Sequence, residues 1–417
     1  MRPVFVAAAA LAVLMPAACS KKAPPPEPAA AADGVTHLSA EGDFASNLQL
    51  ALINAKSGDK IVMPEGIFAF TTGVSLDVDG VTLSGAGQDK TILDFAGQTG
   101  AGEGLLVTSD DVTLSDFTVR DTKGDGIKSK DADRITYQYI TVEWSGEPKE
   151  TNGSYGVYPV ESKDVLVQNV TVRGASDAGI YVGQSENIIV RNSVAEYNVA
   201  GIEIENSSNA DVYGNIARNN AGGILVFDLP DLPITGGHST RVYDNEIIGN
   251  NTKNFAPVGN IVANVPSGTG LLVMANKDIW VTGNKFADNQ SVHAMLTAYT
   301  MPFTDERYNP LPRDITLSGN TYEGGLNNPQ GFVLPIAEAL GGQFPDIATD
   351  GVTRWNGGPD QTVNLVIDET PDVGFVNLGL GEYPLDPANL KPSMDRPAGT
   401  PVPERAAVVL PQDNSPQ

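Results

Sequence analysis

The sequence predicts an all-β chain, a single-stranded parallel β-helix with an N-terminal capping helix, on three observations. Gly179-Ile180-Tyr181-Val182 returns as Gly201-Ile202-Glu203-Ile204 and again as Gly223-Ile224-Leu225-Val226, at steps of 22 residues. A fixed period in the low twenties, built of short β-branched runs between Asn/Gly/Ser turns, is the signature of stacked repeats. No segment inside a repeat has room for a helix and each run alternates, so the unit is one coil of the solenoid. Ahead of the repeats, Phe44, Leu48, Ala51, Leu52 and Ala55 recur at helical spacing before Ser57-Gly58-Asp59 stops the pattern. A helix there covers an open solenoid end that would otherwise expose strand edges and core.

The chain divides accordingly. Residues 1–18 read as a targeting segment: Arg2 is a short basic region, Val4 to Leu14 an apolar run too short to span a bilayer, and Pro16-Ala17-Ala18 the small residues before Cys19. Residues 19–35 are an Ala/Pro-rich tether, 36–73 the N-terminal cap, 74–325 the β-helix and 326–383 a C-terminal cap. Residues 384–417, rich in Pro, Ala and Asp, read as extended or disordered.

The chain carries 26 basic and 51 acidic residues, a net charge of −25. That balance argues against nucleic acid, whose affinity comes largely from Lys and Arg on phosphates. It also disfavours anionic polymers unless a local basic patch or a cation intervenes. Cys19 is the sole cysteine, which excludes an internal disulfide.

Two strand families can be followed. One starts with glycine at 104, 126, 156, 179, 201, 223 and 270. The other is anchored at Leu114, Tyr137, Val167, Val190, Val212, Val242, Val281 and Leu317. Stacking in register makes Ile127, Val157, Ile180, Ile202 and Ile224 an inward aliphatic ladder, each burial being worth roughly 1.5–3 kcal/mol, with the glycines at tight corners. Alternation then places Lys128, Tyr158, Tyr181, Glu203 and Leu225 outside, two residues after each glycine. Lys130, Val160, Gly183, Glu205 and Phe227 follow at four residues after. Rings in such a column can stack on sugar faces and its charged groups can hold hydroxyls or carboxylates. The second family's period lengthens to 30, 30 and 39 residues through insertions at 146–153, 229–238 and 251–268. All three flank the glycine-led strand, where lengthened loops of a repeat array build a binding surface.

The run from Asp177 to Ser185, its echoes at Gly201–Ser207 and Gly222–Pro230, and Asn254-Phe255-Ala256-Pro257 to Gly270 resemble an exported family of parallel β-helix repeat proteins. That family is part of the right-handed, pectin lyase-like superfamily, and the likeness covers most of residues 40–320. The N-terminal segment resembles a bacterial lipoprotein signal, with Pro16 where that motif carries Leu; an ordinary secretory signal is the alternative. The resemblance implies export, a lipid on Cys19 and a cell-envelope location. It also implies a possible partner, an exported c-type cytochrome-like protein. The superfamily implies polysaccharide lyases, hydrolases and epimerases, but a fold does not fix a function.

A uronate lyase or epimerase must neutralise the substrate carboxylate, remove the C5 proton and supply an acid. Lys128 or Lys130 can hold the carboxylate, and Tyr158 or Tyr181 can act as base or acid. Glu203 and Glu205 complete the candidate catalytic set. Phe227, Asp228 and His238 are candidate substrate contacts, His238 through the loop after Phe227. Asp125 and Asp177, with Glu203 and Glu205, are candidate oxygen ligands for Ca²⁺, although no full calcium loop is present. A hydrolase would instead use Glu203 and Glu205 as paired carboxylates, Cα atoms ~6.5–7 Å apart on one strand. His37, His238 and His293 have no metal-ligand spacing. The reading is a carbohydrate-polymer-binding surface, enzymatic or not, with an envelope scaffold that docks a protein partner as the alternative.

Overall fold

The computed structural model describes residues 34–100 and 102–413; the targeting segment and Cys19 lie outside them. Each coil of the middle region holds three strands. Ala178–Gly183, Glu186–Arg191 and Val194–Glu196 form one coil, and Ala200–Glu205, Ser208–Tyr213 and Ile216–Arg218 form the next. Every strand pairs in parallel with its equivalent one coil on. Among the described residues the glycine-led strands build an 11-stranded sheet and the other two families share a 20-stranded one. The two families of the larger sheet are joined through the long strands Thr113–Arg120 and Thr136–Glu143.

The inward ladder is in register, and longer than the repeat pattern shows. It runs Val74, Leu105, Ile127, Val157, Ile180, Ile202, Ile224, Leu271, Ala294, Ile347, Phe375. A third inward row that the sequence reading did not trace runs Val119, Val142, Val172, Ala195, Ala217, Ile247 and Phe286. These rows meet in one core along the axis.

The glycines do a different job from the one expected. None of the stacked set takes a positive φ; the left-handed turn positions are held by Asn and Asp, such as Asn187, Asn192, Asn206 and Asn219. What requires glycine is the approach of the next coil. A Cβ on Gly201 would lie 2.5 Å from the Gly223 carbonyl oxygen, and one on Gly223 2.4 Å from that of Gly270.

Buried asparagines tie the corners together. Asn198 Nδ2 donates to Asn220 Oδ1 at 3.1 Å, Asn220 to Asn250 at 3.0 Å and Asn250 to Asn289 at 3.1 Å. At the next corner Asn215, Asn245, Asn284 and Asn320 repeat the arrangement, which ends on Glu369. Each of the Asn220, Asn250 and Asn289 carboxamides also accepts the backbone N–H of the asparagine one coil before. Buried polar groups are thereby satisfied rung by rung. His293 closes the first ladder, its Nδ1 3.2 Å from Asn289 Nδ2.

The capping helix is Phe44–Asn54, started by Asp43, whose side chain accepts from Ser46 N–H. It buries Phe44, Leu48, Ala51 and Leu52 on the first coil. The winding begins earlier than Val74: Val35–His37 pairs with Lys60–Val62, which pairs with Thr82–Ser84. It also continues past residue 325, through Ile347–Thr349, Leu365–Asp368 and Phe375–Asn377. An insertion that carries the helix Val333–Ala339 hides the period there. Of residues 384–413, read as extended or disordered, the first part stays beside the 11-stranded sheet, with Ser393 bridged to Asn377, and the part from Ala398, bridged to Val366, returns along the 20-stranded sheet. Trp280 Nε1 donates to Val402 O, Arg405 binds Asp211, and Arg191 pairs with Asp413 at 2.7 Å. Val408 and Leu410 pack on Leu166 and Ile189. Among the described residues no helix is long and apolar enough to cross a membrane.

Ile202→Ala is expected to lower unfolding free energy by about 2–5 kcal/mol in chemical denaturation. Gly201→Ala should destabilise clearly, whereas Gly146→Ala, where a Cβ meets nothing within 4 Å, should not. Equal midpoints for the two glycine variants would contradict the close-approach account.

Candidate functional site

The outward column is in register as predicted. Lys128 pairs with Tyr158, Tyr181 with Glu203, and Glu203 with Leu225. The next position outward stacks Lys130, Val160, Gly183, Glu205 and Phe227. The column is not, however, an open groove. Lys130 is exposed and Lys128 and Tyr158 are half-buried, but Tyr181, Glu203, Glu205 and Phe227 are buried, Glu203 to 1% exposure. The insertion at 251–268 folds back over the sheet instead of flanking it, and the one at 229–238 is bonded to the corner at Asn206. Asn206 Nδ2 donates to Leu229 O and Ile234 O, and Asn254 Nδ2 donates to Val262 O and Val265 O. The physical reason is apolar: Leu225 and Phe227 on the sheet and Val262 and Val265 on the insertion share a second hydrophobic cluster.

Under this cover sits a compact cluster of acids and tyrosines. Tyr155, Tyr158 and Tyr181 form a triangle with ring centroids 4.5, 4.7 and 4.8 Å apart. Lys128 Nζ lies 4.7 Å from the Tyr158 ring centroid and 3.7 Å from Glu103 Oε1, at the open end. Asp177 accepts from Tyr155 Oη at 3.3 Å and from Asn260 Nδ2 of the 251–268 insertion at 2.9 Å. Glu205 accepts a hydrogen bond from Tyr181. Gly183 makes room for that ring: a Cβ there would stand 2.1 Å from Tyr181 Oη. Glu203 Oε1 is buried with no hydrogen-bond partner among the described residues.

Burial dominates the electrostatics. It pushes Glu205 and Asp177 up to about 7, with the Asp177 charge adding to the rise at Glu205. Glu203 rises well above the carboxylate range through burial and then the nearby Asp177 and Glu205 charges. Asp125, which accepts from Tyr155 N–H, is raised to about 6 by burial. Burial also raises the tyrosines, Tyr158 to about 12 and Tyr181 further. The site therefore presents neutral phenols, at least one carboxyl that stays protonated at neutral pH and others that change state near it.

Other assigned residues fall elsewhere. Lys130 pairs with Glu161 at 3.3 Å on the surface. Asp228 is buried and accepts from Gly237 N–H through both oxygens, so it braces the 229–238 loop. Phe227 packs under the 251–268 insertion and offers no ring face to solvent. His238 opens a strand of the other sheet, between Ser208 and Lys277, and is exposed outside the cluster. Among the described residues no three of His, Cys, Asp and Glu gather as a metal-ligand set. Asp177 is engaged by Tyr155 and Asn260, and Asp125 by a backbone N–H. Tyr155 and Asn260 are members that sequence reasoning missed, and Gly183 was placed in the column without a role. Strict alternation from Val157 turns Tyr155 inward, but Gly156 itself turns toward Val172 of the core, where a Cβ would lie 2.2 Å from Val172 Cγ1. Alternation slips by one at that point.

The family model described as a right handed beta helix region matches residues 103–256. No curated protein sequence matches the chain. Among solved structures it is similar to the A-module of the mannuronan C-5 epimerase AlgE4 of Azotobacter vinelandii, with a TM-score of 0.53 and 15% identity, over 79% of this chain and 91% of that one. It is similar too to the N-terminal fragment of bacteriophage Phi29 gene product 12, at TM-score 0.51 and 14% identity, over 79% of this chain and 60% of that one. The catalytic unit of a GH87 α-1,3-glucanase from Streptomyces thermodiastaticus gives TM-score 0.50 and 17% identity; 79% of this chain spans 50% of its length. At these identities the likeness is one of fold: the winding is that of a right-handed parallel β-helix.

The raised carboxyls set a sign for pH dependence. Between about 4.5, the ordinary value for Glu, and about 7 for buried Glu205, the folded chain holds protons that the unfolded chain has lost. Stability contributed here therefore falls as pH rises through that window, by at most on the order of 3 kcal/mol for a carboxyl displaced this far. Glu205→Gln and Glu203→Gln should each flatten the decline in melting temperature between pH 5 and pH 8 relative to wild type. An unchanged slope in both variants would contradict the assigned protonation.

Proposed function

We propose that this β-helix protein binds a carbohydrate polymer at the open end of the carboxyl–tyrosine cluster and processes it by general acid–base chemistry. The observation that carries the reading is the grouping of Asp177, Glu203 and Glu205, all with raised proton affinity, against three tyrosines and one lysine on the outer face of one sheet. Fold-level likeness to a mannuronan C-5 epimerase module and to an α-1,3-glucanase supports the substrate class.

Uronate lyase or epimerase chemistry suits the distribution of charge. Lys128 at the mouth meets the substrate carboxylate, the charge that must be offset before a C5 proton can leave. Tyr158 and Tyr181, held protonated, serve as acids and not as bases. The base is Glu205 or Asp177, whose proton affinity lies near neutral pH, where general-base efficiency is greatest. Because the 251–268 insertion roofs the buried end, one sugar unit enters past Tyr158 instead of a polymer lying along the whole column.

Poly-mannuronate, polygalacturonate and hyaluronan, with and without Ca²⁺, test the proposal through absorbance of unsaturated products and proton exchange at C5. Turnover on one polymer is expected, rising with pH between about 6 and 8 as the base ionises. Glu205→Gln should lower it by roughly 10²–10⁴-fold, the usual worth of a positioned acid or base, and Lys128→Ala should raise KM. Neither turnover nor calorimetric binding on any polymer would contradict the proposal and favour the alternative, a scaffold that docks an exported cytochrome-like protein. We also propose that the chain is exported and anchored in the bacterial envelope by a lipid on Cys19. Intact-mass measurement of the exported protein should show the lipid mass there; an unmodified thiol would retire the anchor.

A further inference from the structure

The outer column changes character after Glu203. Leu225 is followed in register by Leu272, Met295 and Ala348, a straight apolar floor four rungs or about 14 Å long. Facing it across a cavity of about 680 Å³ are the helix Val333–Ala339, the Ile261–Asn264 turn and the leucines at 378, 380, 385 and 390. Protein interiors leave few spaces larger than a water molecule, and ligand cavities run to several hundred Å³ with mostly apolar walls.

The lining decides what fits. It contains no Lys, Arg, His or Glu, and Asp350, its sole carboxyl, already accepts Ala298 N–H at 2.7 Å and Val352 N–H at 3.0 Å. Asn264, Thr297, Tyr299, Thr300 and Thr349 are its other polar side chains, a minority among apolar walls, so a sugar would leave most of its hydroxyls without partners and the cavity is not a continuation of the saccharide site. Met274, Met295 and Met301 supply flexible, polarisable walls that adapt to an aliphatic guest. Met301, Phe332 and Leu385 line the cavity and are also exposed, which gives it an apolar rim open to solvent. We propose that this cavity is a second binding site, which takes the unbranched, uncharged alkyl chain of a lipid laid along the floor from Leu225 to Ala348. It does not depend on the carbohydrate reading.

The test uses the chain from Ser20, which contains all of the described fold, free of detergent. N-phenyl-1-naphthylamine should bind saturably at one site per chain with a blue-shifted emission, be displaced by 1-dodecanol and be unaffected by alginate oligomers. Ala348→Trp and Thr297→Trp, which fill the cavity from two different columns, should each weaken probe binding at least tenfold. A diazirine-bearing dodecanol should label peptides within 225–227, 261–301 or 332–390, a readout that needs no variant. Lack of saturable binding, undiminished affinity in both folded variants, or labelling elsewhere would each overturn the proposal. So would a dimer that the probe dissociates, because the rim would then be an interface between copies.

Discussion

The structure depends on one constraint, that each coil lies over the last without a shift. In a parallel ladder a slip of one residue would send every side chain to the opposite face. Three devices hold the register here. The aliphatic rows fit only when stacked, and the asparagine ladders bond each corner to the next through both carboxamide atoms. The glycines allow strand starts to approach too closely for a Cβ. The asparagines matter beyond their net bond energies, since a slipped coil would leave several buried amides unpaired at once, each costing about 1–3 kcal/mol.

Register also explains the chemistry. A column of outward side chains one coil apart brings residues distant in sequence within reach of each other, which is how Tyr155, Asp177 and Glu205 come together. Had the face stayed open, those carboxyls would be solvated and ordinary. The insertions remove the water, and with it the stabilisation of charge, so burial first and neighbouring carboxylates second lift their proton affinity toward neutrality. One cover thus makes both environments: an acid–base cluster where it meets polar residues, and an apolar cavity where it meets Leu225, Leu272 and Met295.

Most of the winding was legible in the sequence, because the 22-residue period and the Gly-Ile pairs repeat with little noise. The in-register stripe of Lys128, Tyr158, Tyr181 and Glu203 followed from the same period. The cover was not foreseen, although a signal was present. Leu225 and Phe227 sit at outward positions, and an apolar residue facing out on two successive columns indicates that something packs there. Asn260 could not be found by any period, since it reaches Asp177 from a loop 83 residues further along the chain. The third inward row was missed because its strands are three residues long in most coils and carry neither the leading glycine nor the aliphatic anchor that marks the other two families. The tail after Pro384, read from composition as extended or disordered, is extended, and composition gave no sign that Arg405, Val408 and Leu410 fasten it to the sheet.

The covered end of the column keeps carboxyls protonated at neutral pH. The most direct measurement is the infrared carbonyl stretch of protonated carboxyl groups, titrated from pH 4 to pH 9 in wild type and in Glu203→Gln. A neutral-carboxyl band should survive to pH 7 in wild type and weaken in the variant. A band that vanishes by about pH 5, the ordinary carboxylate range, would contradict it.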